Sequence, residues 1–156
     1  MERNLSGPAW AQVSEIEISY KSKIKSSERP SVACSTDIYK LLMDMWDEGT
    51  IELQEEFKVL LLSRSNRVLG IYNASKGGLT GTVADPRLIL AVIVKAAACS
   101  VVLAHNHPSG NLKPSRADEE LTTKIAGALK FFDVRLLDHL IISQEGYYSF
   151  ADEGLL

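Results

Sequence analysis

Apolar and polar positions follow several distinct periods along this chain. From Ser35 to Glu48, apolar residues recur at Ile38, Leu41, Leu42 and Met45, which predicts a helix N-capped by Ser35 or Thr36 and stopped at Gly49. The run from Glu55 to Ser63 is short, aliphatic and aromatic, and reads as a strand; a polar Ser-Arg-Ser-Asn exit makes Arg67 to Ala74 its hairpin partner. Gly77, Gly78 and Gly81 mark a loop. Ala84-Asp85-Pro86 then announces a helix, with Asp as cap and Pro in the first position. Its continuation, Leu88 to Ala98, is apolar nearly all round, which predicts burial on more than one side. Val101 to Ala104 is a buried strand that runs into the polar turn His105-Asn106-His107-Pro108-Ser109-Gly110. A third helix starts near Ser115, with Leu121, Ile125, Ala128, Leu129 and Phe132 as its apolar stripe, and Val134–Ser143 and Tyr147–Phe150 form closing strands around Gly146. Ahead of all this, residues 1–33 are polar, apart from an alternating Val13–Tyr20 that reads as an edge strand and a charged Lys21–Pro30 arm or linker. The pattern predicts one α/β domain over residues 34–156, a mixed β-sheet flanked by helices, preceded by an N-terminal extension over 1–33.

Composition supports a folded core. The 156 residues are 46% hydrophobic with only 10 Gly and 5 Pro, far from disordered or collagen-like chains. A net charge of −3, from 17 Lys+Arg against 20 Asp+Glu, argues against tight backbone-driven binding of nucleic acid and leaves room only for a local basic patch. Cys34 and Cys99 form no C-x-x-C pair, read as small apolar residues and fit a reducing, cytoplasmic setting. The first residues lack the plan of a signal peptide and no apolar stretch approaches a membrane span, so a soluble chain without a membrane partner is expected.

The candidate chemistry begins with His105 and His107. Two residues apart at a strand mouth, their imidazoles fall on one side and can chelate one ion, although two surface histidines in a turn would look the same. The string continues as H-x-H-x7-S-x2-D, ending at Ser115 and Asp118. That pair also fits a helix capping box, and the two readings are compatible, because a first-turn residue is held rigidly. Two His and one Asp suit zinc with a fourth position left for water, whereas closed structural sites use four protein ligands, often Cys, and neither Cys lies near. Hydrolysis would further require a general base.

At this point the segments LAHNHPSGNLKPSRADEELT and VRLLDHLIIS resemble the RadC family, the bacterial branch of the JAMM (MPN-type) metallopeptidases, over roughly Thr36 to Leu156. The resemblance implies an MPN-type, cytidine-deaminase-like α/β fold, zinc held by His105, His107 and Asp118, and Ser115 supporting a tetrahedral intermediate. It also implies an upstream Glu at the start of a core strand. Glu55 matches better than its neighbour Glu56, since alternation puts it on one face with Phe57 and Val59; a solvated charge is the alternative for either. For His139, in the Asp-His pair of the closing strand, orientation of a ligand is weighed against local hydrogen bonding, and the latter is favoured. Asn106 and Ser109 either fix the turn or touch substrate.

The function implied is a zinc-dependent hydrolase of amide bonds, acting on a peptide or protein substrate through a peptide or isopeptide linkage. A DNA-repair accessory domain with a vestigial or structural metal site is the alternative. Longer RadC proteins carry a helix-hairpin-helix-like module, which residues 1–33 do not resemble, so the DNA role has less support in this sequence. Phosphodiester hydrolysis is a third reading, disfavoured because such enzymes commonly use two carboxylate-bridged metals.

Overall fold

A computed structural model of the chain describes Ser14 and residues 21–77 and 83–156. The alternating Val13–Tyr20 segment and the glycine loop at 78–82 lie outside the described residues, Ser14 apart. Among the described residues five strands form one mixed sheet: β1 (Glu56–Leu62), β2 (Val68–Lys76), β3 (Ser100–Asn106), β4 (Arg135–Ser143) and β5 (Gly146–Ser149). Their spatial order is β2-β1-β3-β4-β5. All neighbours are antiparallel except β3 and β4, which run parallel and are joined by a helical crossover. Every residue of β1 and β3 is buried, as expected of central strands covered on both faces.

Three helices supply that cover: α1 (Ser35–Met45), α2 (Pro86–Lys95) and α3 (Arg116–Lys130). On one face, Ile38 and Leu42 of α1 pack with Leu60, Leu62, Val102, Ala104, Leu140 and Ile142. On the other, Ile89 and Ile93 of α2 and Ile125 and Leu129 of α3 pack with Phe57, Val59, Leu61, Val101 and Leu103. Each fully buried aliphatic side chain contributes about 1.5–3 kcal/mol relative to exposure, so these two layers rather than any single contact hold the sheet. No helix among the described residues is long and apolar enough to cross a membrane.

Several expectations shift by a turn or a face. Helix α1 ends at Met45 rather than Glu48, because Trp46 turns extended and drops its indole into the core. Its N-cap is Cys34, which makes no side-chain cap bond; Asp37 instead accepts from the Ala33 N–H at 3.0 Å. Helix α2 starts as expected, with Asp85 accepting from the Arg87 N–H, but it buries only one stripe: Leu88 and Val94 remain 53% and 44% exposed. Its apolar surface exceeds what a single sheet face covers. Phe132 likewise lies beyond the end of α3 and is 52% exposed, leaving Thr122 as the buried polar member of that helix's inner stripe. Cys34 and Cys99 are free and exposed, not packed apolar positions.

The charged arm meets the domain at its end. Val68 donates to the Pro30 carbonyl and Val32 to that of Asn66, and Val32 is buried in the α1-side core. Asn66 adopts φ of 55° in the β1–β2 turn, a left-handed position that asparagine tolerates.

Candidate metal centre

The antiparallel register of β1 and β3 pairs Phe57 with His105. Continued by two residues, it sets Glu55 opposite His107, so period-two alternation turns Glu55, Phe57 and His105 to one side and Glu56, Lys58 and Asn106 to the other. The α2/α3 side of the sheet therefore collects the chemistry. His105 is fully buried, with its ring stacked on Phe57 at 5.8 Å. His107 follows β3 and opens a tight turn in which Gly110 takes φ of 76°, a conformation that favours glycine. That turn brings the Asn111 carbonyl to His107 Nδ1 at 2.5 Å, which leaves Nε2 to face the site.

Helix α3 supplies the third group. Ser115 is its N-cap, and a full capping box links it to Asp118: the Asp118 N–H donates to Ser115 Oγ at 3.2 Å, and the Ser115 N–H and hydroxyl both donate to Asp118 Oδ2 at 2.7 Å. The cap and the constellation are thus one structure. His105 Nε2 and His107 Nε2 lie 3.0 Å apart, Asp118 Oδ1 is 3.2 Å from the first and Asp118 Oδ2 3.7 Å from the second. All three potential ligand atoms fall within 4.8 Å of one another. Two imidazole nitrogens and a carboxylate oxygen, crowded at this distance, form a candidate three-ligand metal site whose donor types suit zinc.

The electrostatics point the same way. Burial alone would raise the Asp118 pKa, but hydrogen bonds from His105, His107 and Ser115 hold its carboxyl far below the usual carboxylate range. The hydrogen bond to Asp118 raises His107, against the opposing effect of burial. Glu55 is half-buried, and desolvation raises its pKa, with His105 and His107 pulling the other way and Asp118 adding to the rise. A carboxyl tuned upward beside a cluster of ligand groups has the character of a proton acceptor. Glu56 is occupied elsewhere. It binds Lys58 Nζ at 2.8 Å, Lys76 Nζ at 3.3 Å and Thr50 Oγ1 at 2.9 Å, and those bonds lower its pKa despite burial.

Two residues have larger parts than the sequence alone suggests. Asn106 is fully buried and its side chain brackets Glu55: Oδ1 accepts from the Glu56 N–H at 2.7 Å, while Nδ2 donates to the carbonyls of Gln54 at 3.0 Å and Ile51 at 2.6 Å. It fixes the segment that presents Glu55 and does not face the ligand groups. The sequence favours local bonding for His139, yet its Nε2 lies 2.8 Å from His105 Nδ1 and its Nδ1 lies 2.6 Å from Thr122 Oγ1. Thr122 in turn donates to the Asp118 carbonyl at 2.6 Å. Thr122 carried no signal in the sequence beyond its position one turn after Asp118. Ser109 Oγ accepts from the Asn111 N–H at 3.3 Å and so helps to shape the turn. Beside His107 opens a cavity of about 150 Å³, with Ile51 and Pro108 as apolar wall and Glu52, Ser109 and Gln144 as polar wall.

Comparison with known proteins agrees with this geometry. The family model described as a RadC-like JAB domain matches residues 32–155. A UPF0758 protein of Porphyromonas gingivalis is 41% identical over 151 residues, covering 96% of this chain and 66% of that protein. A UPF0758 protein of Flavobacterium johnsoniae is 50% identical over 101 residues, or 65% of this chain and 44% of that protein. The chain therefore spans about half to two thirds of the length of these relatives, and their names state no activity. With four fifths of its length matched and the whole ligand set inside the match, the chain belongs to the RadC-like JAB domain family.

Proposed function

We propose that this domain is a zinc-dependent hydrolase of amide bonds, cutting a peptide or isopeptide linkage in a peptide or protein substrate. The observation that carries the proposal is the convergence of His105 Nε2, His107 Nε2 and the Asp118 carboxylate on one another, with the half-buried Glu55 near enough to feel their charges. When bound, zinc lowers the pKa of water towards roughly 7 and polarises a carbonyl.

The chain's own residues divide the remaining work. His105, His107 and Asp118 hold the metal. Glu55 is the base: its raised pKa lets it take a proton from the attacking water and pass it to the leaving amine. Ser115 is exposed, and its hydroxyl now points at Asp118; rotation of that hydroxyl offers a donor to an oxyanion forming beside the ligands. The cavity beside His107 accommodates part of the substrate next to the scissile bond. Exposed, unpaired Cys34 and Cys99 suit a reducing compartment, and the proposed location is the cytoplasm.

The test is a peptide and isopeptide cleavage screen on the zinc-loaded chain, with metal content measured in parallel. One zinc per chain and cleavage are expected in the wild type. His105→Ala/His107→Ala should lose the metal, and Glu55→Gln should keep the metal and lose cleavage. Full zinc retention by the double variant overturns the ligand assignment, and equal loss of cleavage in Glu55→Gln and Glu56→Gln removes support for Glu55 as base.

A further inference from the structure

We propose that His139 and Thr122 are positioning residues, which direct the Nε2 lone pair of His105 toward the metal site through a one-way chain of hydrogen bonds that returns to the backbone of Asp118. The proposal rests on the metal reading above, but its geometry stands on its own.

The direction of the chain follows from its far end. Thr122 Oγ1 lies 2.6 Å from the carbonyl oxygen of Asp118. A carbonyl only accepts, and two oxygens at that distance without a proton between them repel, so the threonine proton is committed there. Thr122 Oγ1 can then only accept from its other neighbour, His139 Nδ1, also at 2.6 Å. The His139 ring is fully buried, stacked on Phe150 at 4.7 Å and edge-on to Phe57 at 5.6 Å, surroundings that favour a neutral ring with one proton. With that proton on Nδ1, its Nε2 is an acceptor. The partner 2.8 Å away, His105 Nδ1, must donate to it. His105 therefore carries a proton on Nδ1, which leaves Nε2, the atom 3.2 Å from Asp118 Oδ1, as its nitrogen for the metal site.

Each link has one satisfactory orientation because its neighbour has only one. The chain begins at one ligand, His105, and ends at the backbone of another, Asp118, so it also ties β3 to α3 through β4. His107 reaches the same state independently, by donating from Nδ1 to the Asn111 carbonyl. Both imidazoles thus commit Nδ1 to a fixed acceptor, which turns the two Nε2 atoms, 3.0 Å apart, toward one another and toward Asp118 as the nitrogens that a metal would take. A Thr122→Val substitution keeps the shape and removes the acceptor. His139 then gains by moving its proton to Nε2, donating to His105 Nδ1 and driving the His105 proton onto the ligand nitrogen.

Two measurements test this. In the metal-free chain, two-bond ¹⁵N–¹H correlation spectra should find His139 protonated on Nδ1 and His105 carrying a proton on Nδ1; a His139 protonated on Nε2 overturns the proposal without any variant. By competition with a chromophoric chelator, Zn²⁺ should bind about 10–100-fold more weakly to Thr122→Val than to the wild type. Thr122→Ser, which restores the hydroxyl, should recover wild-type affinity and tautomers. Equal affinity in all three overturns the proposal, as does a Thr122→Ser that behaves like Thr122→Val while both remain folded by circular dichroism. If the wild type binds no Zn²⁺, the metal reading fails, and the tautomers of the metal-free chain still decide the hydrogen-bond chain.

Discussion

Asn106 is the most consequential residue of the site that touches none of its ligand atoms. Its side chain satisfies three backbone groups, the Glu56 N–H and the carbonyls of Ile51 and Gln54. Asn106→Leu keeps a similar volume and removes all three bonds. A buried backbone group left without a partner costs about 1–3 kcal/mol. Gln54 is half-buried, so water can replace the lost bond there, whereas Ile51 and Glu56 are buried and their polar groups stay stranded. Two stranded groups put the loss at ~4 kcal/mol, a large share of the 5–15 kcal/mol that holds a typical domain. For a chain of this size that corresponds to a fall in Tm of about 8–16 °C. Urea unfolding is the assay, followed by the fluorescence of the buried Trp46, with backbone hydrogen exchange at Glu56 as a local readout. A loss below ~1 kcal/mol, with the Glu56 amide still protected, would refute the claim that this side chain holds the Glu55 segment.

Further predictions follow from the same geometry. Glu55 has its folded-state pKa raised by burial, so its contribution to stability is full below the ordinary value of 4.5 and is lost as pH rises through the folded value. In the metal-free chain Glu55→Gln should therefore unfold at higher urea than the wild type at pH 7.5 and at nearly the same urea at pH 4; a lower midpoint at pH 7.5 would contradict the burial argument. Glu56→Gln should cost roughly 3 kcal/mol, because it takes the buried carboxylate from the Lys58 ammonium and leaves it the Asn73 amide oxygen and the Trp46 ring, while leaving zinc binding intact at low temperature. Cys34 and Cys99 should both react with an aromatic disulfide reagent in the native chain without release of zinc, and a requirement for denaturant would show that they are packed.

The legible parts of this protein were those whose signal is local. Ser115 and Asp118 announce both a helix start and one of the three candidate ligands, since one capping box does both jobs. Glu55 is favoured over Glu56 by its place in the family pattern, with alternation in support, and the structure turns the second into an ion pair on the opposite side of the sheet. What escaped depends on partners far along the chain. Asn106 bonds groups 50 to 55 residues away, so nothing in the HNHPSG turn distinguishes a staple from ordinary turn chemistry. His139 contacts a residue 34 positions earlier, across a parallel strand pair that periodicity cannot foresee. Helix α2 misled in the other direction: its apolar residues run nearly all round, but only one stripe finds a sheet to cover it.

The same strands serve both purposes because a β-strand has two faces and neither is spare here. On β3, His105 faces α2 and α3 while its neighbour Asn106 faces the opposite way; on β1, Glu55 and Phe57 share the first side and Glu56 and Lys58 the second. A slip of one residue in the β1–β3 register would exchange the two sets, putting Glu55 where the staple belongs and an ion pair beside the candidate ligands. The anchors that prevent such a slip are the polar groups on the second face. Glu56 is tied to Lys58, Lys76 and Thr50, and the Glu56 N–H to Asn106. Buried polar contacts of this kind contribute little net stability, yet they penalise every register but one. They therefore fix where Glu55 sits: Asn106→Leu, which frees the Glu56 N–H, should disturb the chemistry of the first face, whereas Glu56→Gln keeps that N–H on Asn106 and should leave it in place.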